Sequence, residues 1–579
     1  MSNRINKNNK VSPLIRQCLL ISLGAAIMVS AQTASAAQKD SGFEDASPAR
    51  KIERDGRTRR ARIPADPVFR SLDGSANNPL DPDMNATLTM LGRLMAADYA
   101  DNIGQMAGIN RPNPRAISNA VAAQDRLVSN DRRASDFFWQ WGQFLDHDVD
   151  LTDGSAPPET AHIPVPAGDM YFDPDGTGTA VIFFNRSVYN PETGISPEAP
   201  RQQLNEITGW IDASNVYGSD TERATELRTN DGTGKLKTSA GDLLPFNTAG
   251  LPNAGGGSAS LFLAGDVRAN EQVGLTAMHT LFVREHNRLA NDIAARYPSL
   301  SGEEIYQRAR RIVGAQMQVI TYREFLPLLL GRRALGRYRG YEPGTDARIM
   351  NAFSSAAYRL GHSLLSPQLL RLDARGKPIQ AGHLPLRDAF FAPDELTRGG
   401  GIEPILRGLA AQACQQLDHL VIDDVRNFLF GQPGAGGFDL AALNIQRGRD
   451  HGLPGYNDTR AAFGLGRVAN FAQISSDRDV QRRLASIYAT VDDIDLWVGG
   501  LAEDHRRDAM VGETFYVILK YQFEVLRDGD RFWYEHYFHG RELAEIRRTR
   551  LADIIRRNTE IAREIRNDVF RAPTKRQRR

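Results

Sequence analysis

The sequence predicts a mainly α-helical protein built as one large domain with little β structure. Three observations carry this. Apolar residues recur at helical spacing: Met278, Leu281, Phe282, Leu289 and Ile293 form one stripe, and Ile305, Ile312, Val313 and Ile320 form another. Alternating patterns of strand period are few. From Pro67 onward no long low-complexity linker or internal repeat divides the chain, and the glycine-rich stretches at 252–260, 398–401 and 431–437 are short enough to be loops within one body. Composition agrees: of 579 residues, 41% are hydrophobic and 51 more are glycine, which excludes general disorder. A balance of 71 Lys+Arg against 70 Asp+Glu argues against a nucleic-acid binder, which would carry a basic excess.

At the N-terminus, Arg4, Lys7, Lys10 and Arg16 precede an apolar run at 18–31, and TASAA follows with small residues at cleavage spacing. This predicts a secretory signal peptide over residues 1–36 and an exported protein, extracellular or periplasmic. Without that segment the charge count is 67 against 70, and Cys414 is the only cysteine left, so no internal disulfide can form. No later stretch has the length of apolar sequence that an integral membrane span needs. Residues 37–66 are expected to be a basic flexible arm, 67–555 the folded domain, and 556–579 a charged C-terminal tail that frays.

Five segments carry chemistry. In WQWGQFLDHDVDLT (139–152), a helix places Gln143, Asp146 and His147 at i, i+3 and i+4 on one face, where an amide, a carboxylate and an imidazole can act on one ligand. Asp148 is turned about 100° away. A solvated polar stripe is the alternative. In ITGWIDASNVYG (207–218), Thr208, Trp210, Asp212 and Ser214 occupy alternate positions. In an extended loop they would point the same way and offer hydroxyl, carbonyl and carboxylate oxygens suited to Ca²⁺, with Asp148 completing a mixed site; a plain polar turn is the alternative. In FLAGDVRANE (262–271), Arg268 and Glu271 stand three apart, the spacing of an ordinary surface ion pair. SSAAYRLGHSLL (354–365) sets His362 in an apolar context after Gly361, which lets a flat cofactor approach the backbone; a buried core histidine reads equally from these residues. LNIQRGRDHGLPGYN (443–457) is polar and turn-rich, with no meaning that composition supplies.

These five segments, with FRSLDGSANN (69–78), RPNPRAIS (111–118) and DRFWYE (530–535), occur in the order and approximate spacing of the animal-type haem peroxidases of the peroxidase–cyclooxygenase superfamily. The resemblance covers roughly residues 67–550, and eight strings agree. It implies a helical haem peroxidase domain using H₂O₂. His147 would be the distal histidine, accepting a proton from peroxide and returning it to the departing oxygen. Arg268 would stabilise charge as the O–O bond breaks, and Gln143 would hold water or halide above the iron. His362 would bind the iron of haem b, with Asn444 orienting its other ring nitrogen. Arg359 and Arg447 would meet the haem propionates. Asp148, Thr208, Trp210 through its carbonyl, Asp212 and Ser214 match the family's Ca²⁺ ligands. Asp146 and Glu271 match carboxylates that esterify haem methyl groups.

Departures refine the expectation. Gln272 stands where the chloride-oxidising relative has the methionine of a third haem link, so the resemblance implies bromide, iodide, thiocyanate or small organic donors. Ala76 stands where the DGS-x-NN motif usually carries cysteine, as in a bacterial-style, disulfide-free member. A fatty-acid dioxygenase of the same superfamily needs a tyrosine three residues before the proximal histidine, whereas Tyr358 is four before His362 and Arg359 fills the third place. A secreted adhesion or matrix protein on the same scaffold needs none of the His147, Arg268, His362 and Asn444 constellation. A hydrolase centred on Asp146 and His147 lacks a nucleophile motif.

Overall fold

A computed structural model describes residues 68–574. The expected signal peptide and basic arm, residues 1–36 and 37–66, lie outside the described residues. Of the described residues, 38% are helical and 8% lie in strands or isolated bridges, and the named strands form three two-residue antiparallel ribbons: Thr89–Met90 with Leu204–Asn205, Ile163–Pro164 with Val181–Ile182, and Gln368–Leu369 with Leu384–Pro385. Among the described residues, no helix is long and apolar enough to cross a membrane.

The two longest helices form where the apolar stripes predict them. Helix Val273–Arg296 starts at Gln272, whose side-chain oxygen accepts the Gly274 N–H, and its five stripe residues are all buried. Helix Gly302–Ile320 opens on a capping box: the Ser301 hydroxyl accepts from the Glu304 N–H, and the Glu304 carboxylate accepts from the Ser301 N–H at 2.7 Å. The two helices pack along each other. Against the first lies the central helix Asp136–Val149, whose aromatic face makes the heart of the core: Phe144 stacks on Phe282 at 5.0 Å, and Trp141 meets Phe282 at 5.9 Å and Phe570 at 6.2 Å. Burying each such ring contributes on the order of 2–3 kcal/mol, so this cluster fixes the helix that carries the polar face of the site.

Two expectations are corrected. Residues 556–574 do not fray: helix Leu551–Asn558 runs through the expected boundary, and Ile561, Ile565, Val569, Phe570 and Ala572 are buried. The segment lies beside the start of the central helix, where the Ser135 N–H donates to the Phe570 carbonyl (2.8 Å) and the Ser135 hydroxyl to the Val569 carbonyl (2.5 Å). Its charged residues conceal widely spaced apolar ones, and those decide its place. Residues 207–213 are not an extended loop either. They run as a series of bends, with Ala213 at φ 67°, into the short helix Ser214–Tyr217.

Asp136, in the first turn of the central helix, is buried, and its Oδ1 accepts hydrogen bonds from Trp139 Nε1 (3.0 Å) and Ser366 Oγ (2.7 Å). Burial outweighs these bonds and pushes its carboxyl up to about 7. The folded state therefore keeps a proton that the unfolded chain releases near pH 4, and this residue's contribution to stability declines as pH rises from about 4 to about 7, by at most about 4 kcal/mol. In Asp136→Asn, urea unfolding followed from pH 4.5 to 8 is expected to lose this part of the pH dependence. An unchanged slope would refute the assignment.

Candidate active site

On the central helix, Gln143, Asp146 and His147 face one pocket and Asp148 turns away from it, as the helical period predicts. His147 is 4% exposed. Its Nδ1 lies 3.5 Å from Asp266 Oδ1 and its Nε2 3.8 Å from Glu271 Oε2. Burial and the nearby Arg268 charge hold its pKa well below the usual imidazole value, so the ring is neutral and can accept a proton. Arg268 does not pair with Glu271 as a surface couple would. Its Nε and Nη2 clasp the two oxygens of Asp266, both at 2.9 Å, while Nη2 also donates to the Asp150 carbonyl at 2.9 Å. This fork fixes the guanidinium plane, and Nη1 points to Asp146 Oδ2 at 3.8 Å. Burial opposes the charge on Asp266, but Arg268 overcomes it and keeps the carboxylate ionised.

Amide groups order the other side of the pocket. Gln143 Nε2 donates to Glu271 Oε2 at 3.0 Å, and Gln272 Nε2 donates to Gln143 Oε1 (3.0 Å) and Gln140 Oε1 (2.7 Å). The residue that caps helix Val273–Arg296 therefore also sets which end of Gln143 faces Glu271. Burial pushes Glu271 up to about 7 and, with the neighbouring Asp150, drives Asp146 well above the carboxylate range.

His362 sits on the tight 3₁₀ turn Ala357–Ser363, which packs on the central helix. A Cβ placed on Gly361 would meet nothing within 4 Å, so the face beside His362 is open. Asn444, from helix Leu440–Asp450, lies with Nδ2 2.7 Å from His362 Nδ1 and with Oδ1 accepting from Arg359 Nη1 at 3.2 Å. The contact is the expected one, with its polarity reversed: the amide donates to Nδ1, which puts the ring hydrogen on Nε2. Half a turn of the amide would let Nδ1–H donate to Oδ1 and free the Nε2 lone pair for a metal. Burial and Arg359 lower His362 to about 3, so it is neutral.

Arg359 and Arg447 are both depressed by burial, Arg447 to about 10 even though Asp450 pairs with it at 3.2 Å. The Arg359 charge also lowers Arg447, and the Arg268 charge lowers Arg359. Half-buried cations that repel in this way suit an anion. Arg447 Nη1 also donates to Ser187 Oγ at 2.6 Å and to the Asn185 carbonyl at 3.1 Å. Arg359 feels Asp146 and Asp150, which links the His362 side of the pocket to the His147 side.

Behind His147, Asp148 receives the bend at 208–215. Its Oδ2 accepts from the N–H groups of Asp212 (3.1 Å) and Ala213 (3.2 Å), and its Oδ1 accepts from Ser214 Oγ (2.9 Å). Thr208 Oγ1 donates to Asp212 Oδ1 at 3.1 Å, and the buried indole of Trp210 donates to the Gly74 carbonyl at 3.2 Å. Asp212 Oδ2 is buried with no hydrogen-bond partner. Burial and the Asp212 charge push Asp148 up to about 8. Two adjacent buried carboxyls with an orphan oxygen are the chemistry a hard cation relieves. Among the described residues no group of three or more His, Cys, Asp or Glu gathers as for a metal, so an ion here would rest on two carboxylates and neutral oxygens.

The animal haem peroxidase family model matches residues 69–570. The chain belongs to this family. As an animal haem peroxidase family member it is 38% identical over 517 residues to peroxinectin A of Dictyostelium discoideum, covering 87% of this chain and 96% of that one. It is 37% identical over 555 residues to human eosinophil peroxidase, covering 87% and 76%. Against the mouse peroxidasin homolog the identity is 37% over 553 residues, and the match spans only 37% of that longer protein. Peroxidase A from Dictyostelium discoideum superposes with a TM-score of 0.80 at 36% identity, over 87% of this chain and 100% of that one. A fatty acid alpha-dioxygenase from Arabidopsis thaliana shares the fold, with a TM-score of 0.74 at 22% identity, over 87% of this chain and 84% of that one.

Two contributors to the site escaped the sequence reading. Asp266, two residues before Arg268, binds the arginine and faces His147; the Asp-x-Arg spacing was the available signal, since a turn brings such a pair together. Gln140 was visible in the 139–152 segment, but its link to Gln272 depends on helix packing and leaves no local trace.

Proposed function

We propose that the protein is an exported peroxidase that uses H₂O₂ to oxidise bromide, iodide, thiocyanate or small organic donors. The observation that carries this is the convergence, in one pocket, of a neutral buried histidine, a clamped arginine and a glutamine, beside a second neutral histidine with an open face at Gly361. Haem b fits this chain: His362 would hold the iron, Asn444 would orient the ring after its amide turns, and Arg359 and Arg447 would take the two propionates. When bound, haem supplies the two-electron reductant for peroxide. His147 accepts a proton from one peroxide oxygen at Nε2 and passes it to the other oxygen as that leaves, while Arg268 stabilises the developing negative charge. Gln143, held by Glu271 and Gln272, positions water or the donor anion. The test is to express residues 37–579 with haem and assay peroxide-dependent oxidation of bromide, iodide and phenol. Failure with all three donors, or oxygen uptake with linoleate in their place, sinks this reading.

Asp146 and Glu271 fit ester links to haem. As half-buried anions both are penalised, and esterification removes the charge. After a peroxide pulse, haem is expected to stay with the protein in acidified acetone, and the double variant Asp146→Ala/Glu271→Ala is expected to release it. Wild-type haem that still washes out counts against the esters.

Ca²⁺ at Asp148, Thr208, the Trp210 carbonyl, Asp212 and Ser214 would brace the central helix from behind His147. At a Ca²⁺ concentration one hundred times Kd, the bound ion stabilises the fold by about 2.7 kcal/mol. Chelation is therefore expected to lower the melting temperature and perturb the Soret band, with Asp148→Asn insensitive to the chelator. If chelator leaves the wild type unchanged and metal analysis finds no calcium, the site is not a calcium site.

A further inference from the structure

A second cavity of about 490 Å³ opens well away from the amides and carboxylates around His147. Its rim carries the exposed arginines Arg323, Arg332 and Arg547, with Glu535 as the one acid, and its wall is aromatic: Tyr322, Tyr338 and Trp533. Arg547 pairs with Glu535 at 2.9 Å, which leaves the rim with a positive excess. Trp533 is 2% exposed, and its buried Nε1 has no hydrogen-bond partner; the Tyr338 hydroxyl is likewise unpartnered. A cationic rim over an aromatic wall suits a flat anionic aromatic molecule.

The wall continues inward. Ring centroids are 6.0 Å apart from Tyr338 to Trp533, 4.6 Å from Trp533 to Tyr322, 6.0 Å from Tyr322 to Phe523, and 5.8 Å from Phe523 to Tyr358. Tyr358 is four residues before His362 on the same 3₁₀ turn, and its buried phenol lies in the field of Asp146 and Asp150. An unbroken series of rings thus joins the cavity to the pocket of His147 and His362. Tyr322 lies in the π turn Thr321–Phe325, where the chain widens by one residue per turn after helix Gly302–Ile320.

We propose that this cavity is a second donor site, at which anionic aromatic molecules too bulky for the haem pocket give up single electrons that travel inward along these rings. The proposal rests on the peroxidase reading. Each donor molecule loses one electron at Trp533 and leaves as its radical. Trp533 is restored by the donor after passing its own electron inward, and Tyr322, Phe523 and Tyr358 bridge it to the pocket without themselves being oxidised, since the Tyr322 hydroxyl bonds only the Phe523 carbonyl and the Tyr358 hydroxyl has no partner to take its proton. Two donors and two protons reduce one H₂O₂ to two waters, the O–O bond being the one that breaks. Trp533 suits the relay because its unpartnered Nε1 has no base to take its proton, so oxidation is reversible.

The probe is ABTS, a disulfonated aromatic one-electron donor, compared with iodide, which is small enough for the haem pocket. Haem-loaded Trp533→Phe is expected to bind ABTS as the wild type does by calorimetry, to lose at least about tenfold in ABTS turnover, and to keep iodide oxidation and its Soret band. Arg323→Glu/Arg332→Glu is expected to weaken ABTS binding at least about tenfold with iodide oxidation unchanged. With peroxide and a spin trap but no donor, peptide mass spectrometry is expected to find the adduct on Trp533 in the wild type, and to lose most of it in Tyr322→Leu, which removes the ring 4.6 Å from Trp533. ABTS turnover unchanged in Trp533→Phe, or ABTS binding unchanged in the arginine variant, overturns the site. A wild type that oxidises neither iodide nor ABTS overturns the peroxidase reading, and the site with it.

Discussion

Replacing His147 with alanine is expected to slow peroxide reduction by about 10²–10⁴-fold, the range for removing a positioned general acid–base. The histidine is suited to the role by its surroundings. Burial and Arg268 keep the ring neutral, so Nε2 can take a proton, and Asp266 next to Nδ1 then stabilises the cation that forms. Haem content and the iron-ligand spectrum should be those of the wild type, because nothing around His362 is altered. Stopped-flow mixing with H₂O₂ measures the loss directly. A His147→Ala protein that reacts with peroxide at the wild-type rate would remove His147 from the mechanism. Asp266→Asn should give a smaller loss, since His147 and Arg268 both remain and only the charge that supports the imidazolium and clamps the guanidinium is removed.

The second large effect is at His362. His362→Ala is expected to lose the native Soret band and with it peroxide-dependent oxidation of every donor. The fold should persist, because the aromatic cluster around Trp141, Phe144 and Phe282 does not use His362. Circular dichroism at wild-type intensity, with haem titrations showing weak or absent binding, is the expected pair of results. Imidazole added to this variant should restore part of the band by entering beside Gly361, where the structure is open. If the variant keeps a native Soret band, another residue holds the iron. Asn444→Ala should retain haem but shift the iron's potential, since the imidazole loses the partner that tunes its basicity.

Helical periodicity located the main helices because burial and the 3.6-residue repeat speak through the same residues, as in the stripe from Met278 to Ile293. The face shared by Gln143, Asp146 and His147 was legible for the same reason, and so was the opposed direction of Asp148. What local sequence did not carry was anything set by partners distant in the chain. Arg268 read as half of a surface pair with Glu271, and only the fold reveals that Asp266 and the Asp150 carbonyl hold it. Alternation at 208–214 implied a gathering of Thr208, Asp212 and Ser214 by Asp148 through an extended loop, whereas the chain meets Asp148 by bending around it. At the C-terminus, the density of charge hid Val569 and Phe570, whose burial depends on a groove formed more than 400 residues earlier.

That last contact has a consequence for biogenesis. The turn that starts the central helix is closed by residues 569–572, separated from Ser135 by 434 positions at the Val569 carbonyl. The helix bearing His147 therefore reaches its final setting only after nearly the whole domain has been made, and a contact of such sequence separation forms late in folding. Closure of the pocket at this end would then wait until residues 569–572 have been made. A truncation before residue 569 would leave apolar surface on the start of that helix uncovered, while an extension beyond residue 574 would leave this closure untouched.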